Sequence, residues 1–350
     1  MSDPAIDVAV VIVTYKSAAL TIDSLESLGT ERKKNPGINI RVFVVDNASG
    51  DYPQIEEAVQ RAGWSAWVTP VLAPKNGGFS YGNNVGIREA YKVRRPDFVF
   101  LLNPDTRVRP GAVSILVEFL IENPSAGIAG SSFETEDLKS WPFAFRFPSL
   151  FSECDRGLQL GLVTQLLSRW TVAKVMPGIP QRTDWICGAA MMIRPAVFDA
   201  VGCLDENFFL YYEETELCYR AVKAGFSTWY VPESRVMHII GKSTNLDDET
   251  RISRRLPGYW FESRTRYFVA THGVAMAAAI DMAAILSSSL GLARRKLQRR
   301  ASTPHYIRDL LSHSVLLRRN RQIAPLRSFF PAGQGLTSAI DPPRYLDPAS

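Results

Sequence analysis

Four polar clusters carry residue types that could do chemistry. Asp46-Asn-Ala-Ser-Gly-Asp51 offers a carboxylate that can accept from a nucleobase N–H or a ribose hydroxyl, although the same residues also favour a capped turn. Asn76-Gly-Gly-Phe-Ser-Tyr-Gly-Asn-Asn-Val-Gly86 holds four glycines and three asparagines, more than one turn needs. Glycine allows close backbone approach to a ligand, and amides bond sugar or phosphate oxygens. Asn103-Pro-Asp-Thr106 presents one carboxylate suited to a hard cation, Mg²⁺ or Mn²⁺, bridging to a diphosphate, or alternatively a helix cap. Glu213-Glu214-Thr-Glu216 lies among aromatic residues, where burial raises a carboxylate toward the range of a general base; a helix N-terminus also favours acids. His238 reads as a metal ligand, a diphosphate partner or a structural histidine.

Other chemistries lose support. The glycine-rich segment is not a dinucleotide fingerprint, and Gly241-Lys242-Ser243 is not a phosphate loop, since Val236 stands where the required glycine would be. The four cysteines have no CxxC spacing and the N-terminal residues lack a basic segment followed by an apolar one, so a reduced, cytosolic chain is expected. With 350 residues, 46% hydrophobic and 21% charged, the chain can bury a large core. Its net charge of +5 is uneven: residues 291–330 carry ten Lys/Arg against one acid, while the first 290 residues are net acidic. Any anionic surface should therefore meet the tail. The apolar stretch 268–293 is interrupted by His272 and Asp281 and is not expected to span a bilayer.

These clusters follow apolar runs that must position them. Val8–Tyr15, Ile40–Val45, Trp67–Leu72 and Asp97–Leu102 read as buried strands of a parallel sheet, each delivering a polar loop to one edge. Leu20, Ile22, Leu25 and Leu28 predict a helix between the first two strands, and right-handed βαβ crossovers bring the carboxyl ends together, where ligands bind. Residues 75–86 are expected as a loop, 111–121 as a helix, 157–170 as an amphipathic helix, 183–194 as a strand, 208–224 as a helix and 228–231 as a strand. Residues 125–180 are less legible, and a lid or acceptor surface is expected there.

The order and spacing of these blocks are specific. Val11-Ile-Val-Thr-Tyr15, Val44-Val-Asp-Asn-Ala-Ser-Gly-Asp51, Asn76-Gly-Gly-Phe79 with Gly82-Asn-Asn84, Leu102-Asn-Pro-Asp105, Gly188–Arg194, Phe208–Cys218 and His238 with Gly241–Ser243 together resemble the family 2 glycosyltransferases of GT-A fold, particularly their rhamnosyltransferase-like branch. The resemblance covers residues 6–270. It implies an α/β, GT-A type fold: a mostly parallel central sheet flanked by helices over residues 1–265, then a C-terminal helical, basic extension over 266–350. It further implies inverting transfer of a sugar, L-rhamnose from dTDP-rhamnose, to a hydroxyl of a lipid-linked glycan or oligosaccharide in bacterial surface polysaccharide synthesis. By this analogy Thr14, Tyr15, Asp46 and Asn47 hold base and ribose. Asn76, Gly78, Phe79, Asn83, Asn84 and Asn103 line the donor pocket, and Asp105 with His238 holds Mg²⁺ or Mn²⁺. Glu214 takes the acceptor proton, with Glu213 and Glu216 as competitors.

Two departures stand out: Asn103 replaces the first acid of the usual metal motif, and Glu214 falls where an aspartate is usual. A UDP-hexose donor, a nucleotidyltransferase and a non-catalytic nucleotide-sugar binder are the alternatives. The second would need a glycine-rich loop after the first strand, and Thr14-Tyr-Lys-Ser17 has none. In the tail, the apolar 273–293 followed by Arg294-Arg-Lys-Leu-Gln-Arg-Arg300 predicts a helix lying on an anionic membrane, or a packed helix with a solvated basic end. The expected setting is thus cytoplasmic, peripheral on the inner face of the membrane. No nucleic-acid motif accompanies the charge.

Overall fold

The strand-forming power of the first segment lies in its unbroken Val/Ile run, buried on both faces. In the computed structural model, which describes residues 5–141, 143–239, 255–299 and 304–317, this run is β1 (Ile6–Thr14). α1 (Ala18–Lys34) returns the chain to β2 (Ile38–Asp46), and α2 (Tyr52–Arg61) leads to β3 (Val68–Leu72). α3 (Gly78–Val93) leads to β4 (Phe98–Leu102), followed by β5 (Thr106–Val108), α4 (Ala112–Glu122), β6 (Ala126–Glu134), β7 (Ser140–Trp141) and β8 (Phe143–Phe145). The helices α5 (Leu150–Leu158) and α6 (Gly161–Leu166) precede β9 (Ala173–Val175), β10 (Gln181–Thr183) and β11 (Ala190–Ile193). α7 (Pro195–Val201), α8 (Glu213–Lys223), β12 (Ser227–His238), α9 (Gly258–Leu297) and α10 (Pro304–His313) complete the described elements.

The main sheet runs β10-β12-β6-β11-β4-β1-β2-β3, with β5 on β12 and β7 on β6. It is parallel along β3-β2-β1-β4 and again between β6 and β12, while β11 runs antiparallel to both of its neighbours. Register aligns Thr14 with Asp46 and Asp46 with Leu72, so three parallel strands end level and their loops share one edge. Alternation along β1 splits the core into two layers. Val8, Val10 and Ile12 face Leu25, Leu28, Ile55 and Leu116, whereas Val11 faces Ile87, Met191, Phe198 and Leu217 on the other side.

The structure corrects several expected elements. The segment expected as a loop over 75–86 is helical from Gly78 onward. Its glycines serve packing: a Cβ on Gly82 would strike Val13, and one on Gly86 would strike Val11 and crowd Val45, so their absence lets α3 sit directly on the sheet. Gly86→Val should therefore overpack this layer and cost on the order of 1–3 kcal/mol, read as a lower urea midpoint. β6 was not foreseen, because Ala126-Gly-Ile-Ala-Gly-Ser-Ser lacks the β-branched run that marks the other strands; it is fully buried between β11 and β12. The expected helix over 157–170 is two short helices and a 3₁₀ turn, Ser168–Trp170. Residues 184–189 interrupt the expected strand at 183–194, and the expected helix at 208 begins at Glu213. The strand expected at 228–231 extends to His238. The expected boundary at 265 falls inside α9, which continues to Leu297 past a kink at Gly273.

α9 packs against α5 and the loop before α8, and α10 packs on α9. At their centre Arg264, fully buried, donates to Glu153 (2.8 Å) and Asp281 (2.5 Å), and Asp281 also accepts the Val315 N–H (2.8 Å). The Arg264 guanidinium lies over the Phe268 ring at 4.9 Å, and Phe268 packs with Phe208, Tyr212 and Tyr267.

Candidate active site

The turn after β2 is held by its own first residue. Both Asp46 oxygens are engaged inside the turn: Oδ1 accepts from the Ser49 N–H (2.9 Å) and hydroxyl (2.6 Å), Oδ2 from the N–H groups of Gly50 (3.2 Å) and Tyr52 (3.1 Å). Asp46 is fully buried, and these bonds make it the organiser of the loop. Thr14, also fully buried, donates to Asp51 (3.0 Å), which accepts the Ser17 N–H as well (2.8 Å). Tyr15 is the exposed member of this group, at 45%.

Asn47 reaches across to the next loop, donating to Asn76 Oδ1 and to the Gly78 carbonyl, both at 3.0 Å. Its own Oδ1 is buried without a hydrogen-bond partner. Asn76 Oδ1 takes the Gly78 N–H in addition (3.1 Å). Gly78 has φ +84, and a Cβ there would overlap the Phe209 carbonyl. The Phe79 N–H donates to that same carbonyl (2.7 Å), so the loop 76–79 and the segment before α8 are stitched together. Asn83 and Asn84, the other two asparagines of the segment, are engaged within the protein. Asn83 bonds the Phe79 carbonyl (2.9 Å) and Asn84 ties α3 to Leu204 (2.8 Å) and Glu206 (3.0 Å); both are buried braces.

From the other side of β1, β4 ends at Asn103, whose N–H donates to Ala189 (2.9 Å) and whose carbonyl is held by the Thr106 hydroxyl (2.7 Å). The turn aims Asp105, 1% exposed, at His238, with Oδ1 3.3 Å from Nε2. Pairing of β5 with β12 sets that meeting, because His238 lies opposite Thr106 in register and the Ile239 N–H bonds the Asp105 carbonyl (3.0 Å). Asn103 Oδ1 is buried without a hydrogen-bond partner. Among the described residues no three His, Cys, Asp or Glu side chains gather as a metal cluster. Gly241–Ser243 lie outside the described residues.

Glu213 and Glu214 open α8 behind two strained residues, Tyr211 (φ 73) and Tyr212 (φ 68). Such a conformation in two consecutive aromatics is costly and needs support from its surroundings. α9 supplies it: Ser263 donates to the Leu210 carbonyl (3.0 Å), Tyr259 packs on Phe209 and Tyr211, and Trp260 and Tyr267 pack on Tyr212. Burial raises both carboxyls. Glu213 is pushed well above the usual range by burial and then by Glu214; Glu214 is raised to about 7 by burial, against the pull of peptide N–H groups at Glu214, Gly188 and Thr215. One oxygen of each, Oε2, is buried without a hydrogen-bond partner. Glu216 is out of the competition, because Arg220 binds both of its oxygens at 2.6 and 2.7 Å.

The matching residues thus converge from three directions. Gly188 lies between them: a Cβ there would sit 3.3 Å from the Phe79 ring and 3.6 Å from Glu214 Cβ. Such an arrangement places a carboxyl of near-neutral pKa beside a loop suited to a sugar nucleotide, with an Asp–His pair at the same sheet edge. A model of the glycosyltransferase-like family 2 matches residues 4–256. The chain is a family 2 glycosyltransferase. Among the relatives of this glycosyltransferase is the N-acetylglucosaminyl-diphospho-decaprenol L-rhamnosyltransferase of Mycobacterium tuberculosis, 29% identical over 243 residues, 65% of this chain and 73% of the relative. The dTDP-rhamnosyl transferase RfbF of Shigella flexneri is 25% identical over 232 residues, 66% of this chain and 68% of the relative. In fold the glycosyltransferase is similar to GalNAc-T7, solved with UDP, GalNAc and Mn²⁺, at a TM-score of 0.54 and 14% identity, over 89% of this chain and 55% of that one. That likeness bears out the expected GT-A architecture, a central sheet flanked by helices.

Sequence reasoning passed over two features of the site. Cys187 stands near Glu214, Glu213 and Asp105, and burial, then Glu214, pushes its thiol up to about 12, so it is neutral packing. The group Phe209, Tyr211 and Tyr259 forms an aromatic cluster in the segment joined to Phe79, with Phe209 39% exposed. Adjacent aromatics in Phe208–Tyr212 were the available signal, but Tyr259 is remote in sequence.

Proposed function

We propose that this glycosyltransferase moves L-rhamnose from dTDP-rhamnose to a hydroxyl of a lipid-linked glycan, with inversion, at the cytoplasmic face of a membrane. The observation that carries the reaction is Glu214: a partly buried carboxyl with a pKa of about 7 and an unpartnered buried oxygen, on the segment stitched to the Gly78-Phe79 loop. The donor and the lipid carrier rest on the names borne by the two bacterial relatives.

In this reading the sugar nucleotide lies along the loops after β1, β2 and β3. Tyr15 and the turn built by Asp46 face the base, Asn47 and Asn76 shape the wall, and Phe79 contacts the sugar. Asp105 and His238 fit a hard divalent cation such as Mn²⁺ or Mg²⁺: the two donors face each other, Asn103 Oδ1 is an unpartnered buried oxygen, and two protein ligands suit an ion shared with phosphate oxygens rather than a caged one. Bound there, the cation would neutralise charge on the departing diphosphate. Glu214 takes the proton of the acceptor hydroxyl as its oxygen bonds to the anomeric carbon and the bond from that carbon to the diphosphate oxygen breaks. The aromatic cluster of Phe209 and Tyr259 offers a flat face on which an acceptor sugar can stack.

A thermal-shift screen of dTDP-rhamnose, UDP-glucose, UDP-galactose, UDP-N-acetylglucosamine and GDP-mannose, each with and without Mn²⁺, tests the donor. A ligand at about 100 times its Kd adds roughly 2.7 kcal/mol to the native state, a readable rise in melting temperature. The expected result is a shift confined to dTDP-rhamnose and enlarged by Mn²⁺. A larger shift with a UDP-sugar would overturn the rhamnose assignment while leaving the transfer reaction standing.

A further inference from the structure

The distal half of α9 is built inside out. Beyond the kink at Gly273 (φ +79) its buried face is Ala277, Ile280, Asp281, Ala284, Ser287, Ser288 and Gly291, small or polar apart from Ile280. Backbones meet there so closely that a Cβ on Gly291 would land on the Gly157 carbonyl. The opposite face presents Met282 (46% exposed), Leu286 (57%) and Leu290 (64%) at successive turns. A helix on the surface of a water-soluble core has the reverse arrangement, with leucines inward and serines outward.

The apolar surface continues beyond the helix. Arg294 and Arg295 both donate to Gln159, the former at 2.8 Å, and two residues later the chain enters α6, where Leu162 and Leu166 are 84% and 77% exposed. Exposed apolar area of this extent marks an interaction surface. Its charge says with what: Lys296 and Arg299 stand exposed at the end of the stripe, and residues 291–330 carry ten basic side chains against one acid.

We infer that the outer face of α9 beyond Gly273, together with α6, docks in the plane of an anionic lipid bilayer. α9 is long and apolar enough to cross a membrane by length and composition. Its inner face, however, is fastened to the protein by the Arg264–Asp281 ion pair and the α5 contact, so lipid can reach one side alone, as for an interfacial helix. The inference deepens the proposed transfer to a lipid-linked acceptor and rests on it for its purpose, because the first turn of the same helix carries Tyr259, a member of the aromatic cluster of the site.

The test is co-sedimentation of the full-length protein with phosphatidylcholine vesicles, with and without phosphatidylglycerol, at low salt. Wild type is expected to sediment with the anionic vesicles and to be released by high salt. The triple variant M282S/L286S/L290S should bind about tenfold less or weaker still, with an unchanged melting temperature and an unchanged donor-induced shift. Wild type remaining in the supernatant, or the variant sedimenting as wild type does, would overturn the inference. So would a concentration-dependent dimer that the variant disperses, which would assign the surface to a second copy of the chain. Transfer to a lipid-free acceptor fragment, measured without vesicles, separates the two readings: its loss strikes the reaction, whereas vesicle binding needs neither donor nor acceptor.

Discussion

Glu214→Gln is expected to lower kcat by about 10²- to 10⁴-fold while the donor-induced thermal shift stays near its wild-type size. Glutamine keeps the shape and the hydrogen-bonding contacts but cannot take a proton. Because Glu214 is held at about 7, wild-type kcat/KM should climb as pH rises from 6 to 8 and level off above, as the carboxyl ionises; the residual rate of the variant should lack this inflection. Stability moves in the opposite sense. Folding raises this carboxyl above its value of 4.5 in the open chain, so between 4.5 and about 7 the unfolded state binds fewer protons and stability falls with pH. Removing the charge should therefore raise the melting temperature at pH 8, on the order of 2 °C or more, and leave it little changed at pH 4.5. Full turnover in Glu214→Gln would sink the assignment of the base, and the neighbour Glu213 would be the next candidate.

The second large effect lies away from the reacting groups. Arg264→Met should cost about 3–5 kcal/mol, because it leaves Glu153 and Asp281 buried without their shared cation. A fall in melting temperature on the order of 10 °C is the expected reading. Burial pushes Glu153 up, yet Arg156 and Arg264 outweigh it and hold the carboxyl below its ordinary range. That part of the stability is present above about pH 4.5 and is lost in more acid solution. The double variant R264M/D281N, which removes the stranded Asp281 charge and leaves Glu153 its partner Arg156, should recover much of the loss. Should R264M alone melt as wild type does, the cluster would not hold the C-terminal helices. Turnover should fall with R264M as well, because Tyr212, whose left-handed backbone leads into Glu213 and Glu214, packs on Trp260 and Tyr267 of the same helix.

The Asp105–His238 pair and Glu214 are thus positioned by different parts of the chain. Asp105 and His238 meet through strand pairing, β5 on β12, within the sheet. Glu214 depends on the loop at 209–212, which is clasped by the Gly78-Phe79 loop on one side and by α9 on the other. The helical extension beyond the family match, which ends at residue 256, is accordingly part of what shapes the site.

Much of this was legible in the amino-acid order. Continuous Val/Ile runs mark strands buried on both faces, and turn formers at their ends mark one edge of a parallel sheet; β1, β2 and β4 stand where such runs stand. The order of the polar blocks identified the family, and the acidic pair before Leu217-Cys218 is the one that folding buries with one unpartnered oxygen on each carboxyl. Other features are set by contacts between distant residues. Asn76–Gly86 looked like a ligand loop because glycine and asparagine disfavour helices locally, yet its glycines are needed where α3 presses on Val11 and Val13. β6 is a strand because β11 and β12 flank it, not because its own residues favour one. Glu216 could compete as base until folding placed Arg220 on both its oxygens. Asp281 looked like an interruption of an apolar stretch until Arg264, 17 residues away, met it in the core. Sequence by itself determined the parallel strands β1–β4, their carboxyl edge and the polar residues gathered there, since those follow from local patterns of burial and turn formation. Tertiary structure alone decided which carboxylates are spent on structure and which keep an unpartnered oxygen, because a charge is quenched or left available by neighbours that the chain brings together only on folding.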